Sequence, residues 1–257
     1  MFLAIDIGNT NTVLGVYQNN QLINSWRLSS TSSRTTDECW IITKLLCHNG
    51  SIDISKLEGV IIGSVVPNLT LNFEQMAKKY LNLKAIIVNH KINLGFKLKV
   101  DIPASVGADR ICNVASARTN YFLPCIVIDL GTATTFEVID EKGDYIGGAI
   151  APGIYTGSAE LARKAAKLSK IELKNPKNYI GKNTEEHLQT GIFTGHIAMI
   201  EGIVNRMKQE YSGKGKFTVI ATGGLSNEIS ANCDIIDKSD INLTLEGLKI
   251  LYHQNKH

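Results

Sequence analysis

The stretch Ile5-Asp6-Ile7-Gly8-Asn9-Thr10-Asn11-Thr12 returns in altered form as Ile128-Asp129-Leu130-Gly131-Thr132-Ala133-Thr134-Thr135, almost half the chain later. In both copies an apolar segment leads into Asp, then Gly, then hydroxyl side chains. A strand that ends in Asp-x-Gly places a carboxylate beside a tight turn, where backbone N–H groups and Thr hydroxyls can hold phosphate and the carboxylate can bind a cation. Two such turns facing each other would hold the phosphate chain of a nucleotide from both sides.

Each turn also has a simpler interpretation. Gly and Asn are the usual residues of hairpin connections, so the first turn alone is equally typical of a plain β-hairpin. The second turn carries three Thr that a simple hairpin does not need. A third turn, Thr222-Gly223-Gly224, follows an apolar segment, and its double glycine either lets a flat ligand or a phosphate approach the backbone closely or makes only a loop. The three turns together favour nucleotide binding.

Composition excludes several classes of protein. Of the 257 residues 44% are apolar and 20% charged, which is typical of a soluble globular protein. No apolar run approaches the roughly 20 residues of a membrane span, and the start Met1-Phe2-Leu3-Ala4-Ile5-Asp6 has no basic region, which favours the cytoplasm over secretion. The net charge of +3, spread along the chain, indicates neither nucleic acid nor membrane as a partner. The five cysteines lack any Cys-x-x-Cys and are expected to be buried, reduced thiols.

The pattern of apolar segments predicts a duplicated α/β fold. In the first half we expect strands and helices in the order βββ-α-β-α-β, at residues 2–7, 13–17, 22–28, 37–48, 59–66, 69–81 and 85–89. In the second half we expect strands at 124–130, 134–140, 145–150 and 217–221, with helices after Gly153, over 184–210 and from Asn227. This order predicts two mixed-sheet domains, 1–118 and 119–257, with a cleft between them and only a short polar tail at the C-terminus.

Four motifs, taken together and in order, resemble the type III pantothenate kinase family of the acetate-kinase, sugar-kinase, Hsp70 and actin superfamily. They are Asp6-x-Gly8-Asn9-Thr10, Gly107-Ala108-Asp109-Arg110, Asp129-x-Gly131-Thr132-Ala133-Thr134-Thr135 and Thr222-Gly223-Gly224. The Gly-Ala-Asp-Arg between the two phosphate turns is specific to this branch. The resemblance implies a duplicated actin-like (ribonuclease H-like) fold, ATP-dependent phosphorylation of pantothenate to 4'-phosphopantothenate as the first step of coenzyme A synthesis, Mg²⁺ and a monovalent cation (K⁺ or NH₄⁺) as cofactors, and a homodimer.

The resemblance also implies roles for individual residues. Asp109 would be the catalytic base, Asp129 would hold the monovalent cation, and Asp6 is the candidate for magnesium on the phosphates. ATP would be bound by Asp6, Ile7, Gly8, Asn9, Thr10, Asn11, Thr12, Val13, Thr132, Gly223 and Gly224, and pantothenate by Gly107, Ala108, Asp109, Arg110 and Thr184. A Tyr that many members carry shortly before a Pro, and that bears on one pantothenate contact, is here Val100.

The residues alone leave alternatives open at three of these positions. Asp109 falls in a first helical turn, where it would complement the helix dipole even without a catalytic role. Arg110 is either a surface charge or a fork for a substrate carboxylate. Thr184 is either the N-cap of the long helix that follows or a pantothenate contact.

The predicted helix over 184–210 also suggests an interface between two copies of the chain. Its apolar surface is broader than a one-sided surface helix needs, while Gly191 and Gly195 leave a flat patch where another helix can approach. The apolar residues are Leu188, Ile192, Phe193, Ile197, Met199, Ile200, Ile203, Val204 and Met207. Burial in the protein's own core is the alternative. The alternatives for function are an actin- or Hsp70-like ATP-binding regulatory protein and a kinase of another small hydroxylated metabolite.

Overall fold

The computed structural model describes residues 1–165 and 171–256, and the chain divides into two compact units. Unit 1 comprises Met1–Thr119 and Asn242–His257, and unit 2 comprises Asn120–Ile241. The two predicted domains therefore need one correction, because the last segment of the chain, expected in the second domain, belongs to unit 1.

Unit 1 is built on a five-stranded mixed sheet. Its strands are β1 (Phe2–Ile7), β2 (Asn11–Gln18), β3 (Gln21–Ser29), β4 (Gly59–Ser64) and β5 (Ile86–Ile87), and its first helices are α1 (Thr36–Asn49), α2 (Pro67–Leu81) and α3 (Ala108–Asn120). The order across the sheet is β3-β2-β1-β4-β5. The first three strands are antiparallel neighbours, whereas β4 pairs in parallel with β1 and β5.

Local chemistry defines where the helices of unit 1 begin. Thr35 precedes α1, and its hydroxyl accepts a hydrogen bond from the Glu38 N–H while the Glu38 carboxylate accepts one from the Thr35 N–H (2.7 Å), which forms a capping box. Pro67 opens α2 at a position where no N–H is needed. The strand β4 ends at Ser64, two residues earlier than predicted. Alternate residues of β1 enter separate apolar clusters, Leu3 and Ile5 in one and Phe2 and Ala4 in the other, so both faces of the sheet are covered.

Unit 2 repeats the sheet. Its strands are β6 (Cys125–Leu130), β7 (Ala133–Ile139), β8 (Tyr145–Pro152), β9 (Thr218–Thr222) and β10 (Lys238–Ser239), in the order β10-β9-β6-β7-β8. Its helices are α4 (Ile154–Lys164), α5 (Thr184–Gln189), α6 (Gly195–Glu210) and α7 (Ser226–Ser230), and a π-helical turn (Thr190–Thr194) joins α5 to α6. If the strands of each unit are numbered from one to five along the chain, both sheets have the same order, 3-2-1-4-5. The predicted duplication into two mixed sheets is confirmed.

A further helix, α8 (Leu243–Asn255), lies near the end of the chain, where no helix was predicted from the sequence. Its residues Leu245, Leu248 and Leu251 are buried in the core of unit 1. Gly247 lets α8 approach α3 closely, because a side chain there would overlap the backbone carbonyl of Cys112. The spacing of the buried leucines was the signal for this helix.

All five cysteines are free and buried, as predicted. Burial raises the pKa of the Cys39, Cys47 and Cys233 thiols to about 11 and that of Cys125 to about 12. Within residues 1–165 and 171–256, every helix is too short or too polar to cross a membrane.

Candidate active site

The first of the turns predicted to bind phosphate, Gly8-Asn9-Thr10, connects β1 to β2 at the end of the sheet where β1 ends. The Gly8 N–H donates to the Asn11 carbonyl (2.9 Å), and Ile7 pairs with Thr12 in the strand register. Asn9 and Thr10 are exposed at the tip, whereas the Thr12 side chain is fully buried. The turn thus presents polar groups outward from a rigid base. Ser30, which directly follows β3 and belongs to none of the motifs, holds this turn by hydrogen bonds.

Asp109 lies in the first turn of α3, as predicted. Its Oδ1 accepts a hydrogen bond from the Arg110 N–H (2.8 Å), and both side chains are half-buried. A Cβ on Gly107 would lie 2.5 Å from Asp109 Oδ1, so only glycine leaves room for the carboxylate in this position. The motif Gly107 to Arg110 therefore places a carboxylate and a guanidinium beside each other at a helix N-terminus. The helix dipole stabilises the carboxylate there.

Asp6 and Asp109 lie in the same neighbourhood of unit 1. Asp6 pairs with Gly63 between β1 and β4, and a Cβ on Gly63 would lie 3.3 Å from the Cys112 thiol on α3, one turn after Asp109. Burial raises the pKa of Cys112 well above its usual range, and the negative charges of Asp6 and Asp109 raise it further. Unit 1 thus brings the acid of the first phosphate turn and the acid of the Gly-Ala-Asp-Arg motif to one place.

The second phosphate turn is held by the start of α4. The Gly131 N–H donates to the Ala133 carbonyl (3.0 Å), while the Thr132 carbonyl accepts both the Gly153 N–H (3.1 Å) and the Thr156 hydroxyl (2.6 Å). A Cβ on Gly153 would overlap the Gly131 carbonyl oxygen, so the helix can pack this closely only with glycine there. Sequence reasoning missed both Gly153 and Thr156, because the turn gives no indication of which later segment covers it.

Gly223 lies directly against Asp129. The register pairs Asp129 with Thr222 between β6 and β9, which brings the third turn beside the second. Gly223 has φ +90°, and a Cβ on it would lie 2.7 Å from both Asp129 Oδ1 and the Leu130 carbonyl oxygen. Glycine therefore leaves a small space lined by a carboxylate and a carbonyl oxygen. Oxygen ligands of this kind suit a hard cation, so these residues fit the cation site implied for Asp129.

A buried histidine supports the second turn from behind. His196 on α6 is 8% exposed, and its Nε2 lies 3.0 Å from the Thr134 hydroxyl. Burial lowers the pKa of His196 below its ordinary value, which favours the neutral ring. No local pattern in the sequence connects His196 to Thr134, so its role becomes visible only in the folded chain.

Two expectations about the segment 184–210 are wrong in part. Asn183, rather than Thr184, is the N-cap of α5, because the Asn183 side chain accepts the Glu186 N–H (2.9 Å). Thr184 is the first residue of α5 and is exposed. The apolar stripe is largely covered within unit 2: Phe193, Ile197, Ile200 and Val204 are buried in its core, and Ile192, Met199, Ile203 and Met207 pack against it. Its surplus of apolar residues is therefore no argument for an interface.

What remains exposed on this segment is a row of small residues. Gly191, Gly195 and Ala198 are exposed, and a Cβ on either glycine would meet nothing within 4 Å. The spacing of these residues places them on one side of the segment. The flat patch predicted from Gly191 and Gly195 is thus present.

Comparison with known proteins agrees with this arrangement. The type III pantothenate kinase family model matches residues 2–206. The type III pantothenate kinases of an Exiguobacterium species and of Halalkalibacterium halodurans are 45% and 43% identical to this chain; the alignments cover 100% and 99% of it and 100% of each relative. The activator of the 2-hydroxyisocaproyl-CoA dehydratase from Clostridium difficile, solved with ADPNP, shares the fold (TM-score 0.57, 12% identity, 98% and 93% of the two chains). The chain belongs to the type III pantothenate kinase family.

Proposed function

We propose that this chain transfers the γ-phosphoryl group of ATP to the primary hydroxyl of pantothenate, the opening step of coenzyme A synthesis, with Asp109 orienting that hydroxyl. Family membership over the whole chain supports the reaction and disfavours a regulatory ATP-binding protein. The observation that carries the proposal is the proximity of Asp6 and Asp109: Asp6 pairs with Gly63 in the sheet, and Gly63 lies against Cys112, one helical turn after Asp109. The proposed phosphate turn after Asp6 and the proposed acceptor-site acid Asp109 are therefore close enough to act in the same reaction.

On the acceptor side, Asp109 accepts or orients the proton of the pantothenate hydroxyl as its oxygen attacks the γ-phosphorus and the bond to ADP breaks. Little basicity is needed, because phosphoryl transfer passes through a loose transition state. Arg110 binds the pantothenate carboxylate, for which a guanidinium is the matching fork. Gly107 and Ala108 bring the backbone close to the substrate and keep the Asp109 carboxylate in place.

On the nucleotide side, the first turn from Asp6 to Val13 and Thr132 of the second turn bind the phosphates, and Gly223 and Gly224 lie against the adenosine. Asp6 would hold Mg²⁺ together with the phosphates, and Asp129 with the Leu130 carbonyl would hold a monovalent cation. These cations would neutralise phosphate charge when bound. The positions of Asp6 and Asp129, each directly before a phosphate turn, support this assignment.

We further propose a homodimer in which Thr184 completes the pantothenate site of the partner subunit. Two features of unit 2 support it. Thr184 is exposed at the start of α5, and the adjoining face with Gly191, Gly195 and Ala198 is flat and open. Small residues let the backbones of two helices come close together, so this face suits a second copy of the same segment.

An ATP-turnover assay with three acceptors tests the reaction. Purified protein with ATP, Mg²⁺ and K⁺ is given no acceptor, pantothenate, or a different hydroxylated acid such as glycerate, and both ADP release and the phosphorylated product are measured. We expect ADP and phosphopantothenate only with pantothenate. Equal ADP release without any acceptor would contradict the kinase assignment, and preference for the other acid would contradict the substrate.

A further inference from the structure

We propose that Ser30, which lies outside every motif of the chain, is a positioning residue that sets the first phosphate turn for ATP. This inference rests on the proposed function, because it takes the turn after Asp6 to be a phosphate site. Ser30 directly follows β3 and is half-buried.

Ser30 holds the turn at three points. Its N–H donates to the Thr10 carbonyl (2.9 Å), and its hydroxyl donates to the Gly8 carbonyl (2.6 Å). The Ser30 oxygen is also 2.8 Å from the Thr12 hydroxyl. Because a serine hydroxyl has one proton and Gly8 receives it, Thr12 is the donor in this third hydrogen bond. Ser30 thus connects the backbone carbonyls of Gly8 and Thr10 with the side chain of Thr12.

These hydrogen bonds determine which way the turn's N–H groups face. In a trans peptide the carbonyl of one residue and the N–H of the next point in opposite directions. With the Gly8 and Thr10 carbonyls directed at Ser30, the N–H groups of Asn9 and Asn11 point away from it. Backbone N–H groups of a turn that are kept free of contacts within the turn can form an anion-binding concavity. Ser30 therefore favours the backbone arrangement that suits phosphate.

Burial makes the Ser30 hydroxyl hard to replace. The Thr12 side chain is 0% exposed, so water does not substitute readily for the Ser30 oxygen as its partner. Removing that oxygen leaves the Thr12 hydroxyl and the Gly8 carbonyl short of a hydrogen bond, and the turn would move to satisfy them.

The second phosphate turn is held in the same way. Gly153 directly follows β8, as Ser30 follows β3, and its N–H donates to the Thr132 carbonyl of the second turn. The Thr156 hydroxyl donates to the same oxygen. In each unit, then, the residue after the third strand donates its N–H and a nearby hydroxyl adds a second hydrogen bond to the carbonyls of the turn. This repetition supports a functional reason for the arrangement.

Steady-state kinetics on four proteins tests the inference: the wild type, Ser30→Ala, Ser30→Thr and the control Ser29→Ala. Ser29 is the exposed neighbour on the same strand end. Loss of the hydrogen bonds should raise the KM for ATP about tenfold in Ser30→Ala while the KM for pantothenate changes by less than about twofold. Ser30→Thr keeps the hydroxyl and should restore most of the affinity, and Ser29→Ala should behave as the wild type.

The Kd of a non-hydrolysable ATP analogue, measured by calorimetry on folded protein, should rise in parallel with the KM for ATP. A wild-type KM and Kd in Ser30→Ala would overturn the inference, and so would an equal loss of all kinetic constants that follows the fraction of unfolded protein. If the wild type shows no pantothenate-dependent turnover, the proposed function fails, and the calorimetric Kd alone then decides the role of Ser30.

Discussion

Asp109 and Asp129 each lie against a glycine whose missing side chain makes room for the carboxylate. The nearest carboxylate oxygen would be 2.5 Å from a Cβ on Gly107 and 2.7 Å from one on Gly223. Both distances are far inside van der Waals contact, so an alanine at either position would push the carboxylate away. The two acids proposed for acceptor and cation binding are thus placed by residues that provide only space.

At Asp129 we predict a requirement for K⁺ or NH₄⁺ in addition to Mg²⁺. Oxygen ligands from Asp129 and Leu130 suit such an ion, whose charge helps neutralise the phosphates. Turnover should fall when K⁺ is replaced by a bulky organic cation, and Asp129→Ala should lose the response to K⁺. The exposed Asp234, changed to Ala, is the control and should keep the response. Full wild-type activity without K⁺ or NH₄⁺ would contradict the assignment.

At the scale of elements, the position of α3 depends on α8. Gly247 of α8 contacts the Cys112 carbonyl of α3, and the Thr244 hydroxyl donates to Asn113 Oδ1 (2.9 Å). Because Asp109 lies one turn before Cys112, the C-terminal helix supports the helix that carries the proposed catalytic acid. The helix α8 thus supports the proposed acceptor site although it contains none of the motifs.

Two helical glycines should respond in opposite ways to alanine. Gly157→Ala in α4 meets open space and should stabilise the protein by about 0.5–1 kcal/mol, because alanine favours helix. Gly247→Ala in α8 forces a methyl group into the Cys112 carbonyl and should destabilise unit 1 by about 1–3 kcal/mol or more, with loss of activity. Denaturant unfolding followed by circular dichroism gives both values. A neutral or stabilising Gly247→Ala would contradict the close packing of α8 on α3.

Elements encoded by local pattern were predicted well, and those that depend on distant contacts were not. The strands that contain Asp6 and Asp129 were predicted because apolar runs ending in Asp-x-Gly are visible in the sequence. Local pattern did not assign α8 to unit 1, because that depends on a contact between Gly247 and Cys112, far apart in the chain. The same holds for the candidate site: its motif residues stand out in the sequence as local patterns, whereas Ser30, Thr156 and His196 act through partners in other elements.

At the scale of the whole molecule, the open glycine face of unit 2 predicts a homodimer. Gly191→Leu adds a bulky side chain where a partner helix would approach and should shift the protein to monomer or weaken the dimer. Activity should fall with it, since each site would borrow Thr184 from its partner. Sedimentation velocity at assay concentrations measures the state, and Gly157→Leu, equally open but on α4, should stay dimeric. A wild-type monomer with full activity would defeat the prediction.

The central claim is that this family member phosphorylates pantothenate with Asp109 acting on the acceptor hydroxyl, and Asp109→Asn tests it most directly. The asparagine keeps the shape but cannot accept the proton. With saturating ATP and pantothenate, we expect phosphopantothenate formation to fall by about 10²–10⁴-fold, while the Kd of a non-hydrolysable ATP analogue stays close to the wild-type value. Glu74→Gln, the same change at an exposed residue of α2, should leave the rate unaltered. A rate in Asp109→Asn close to that of the wild type would contradict the account.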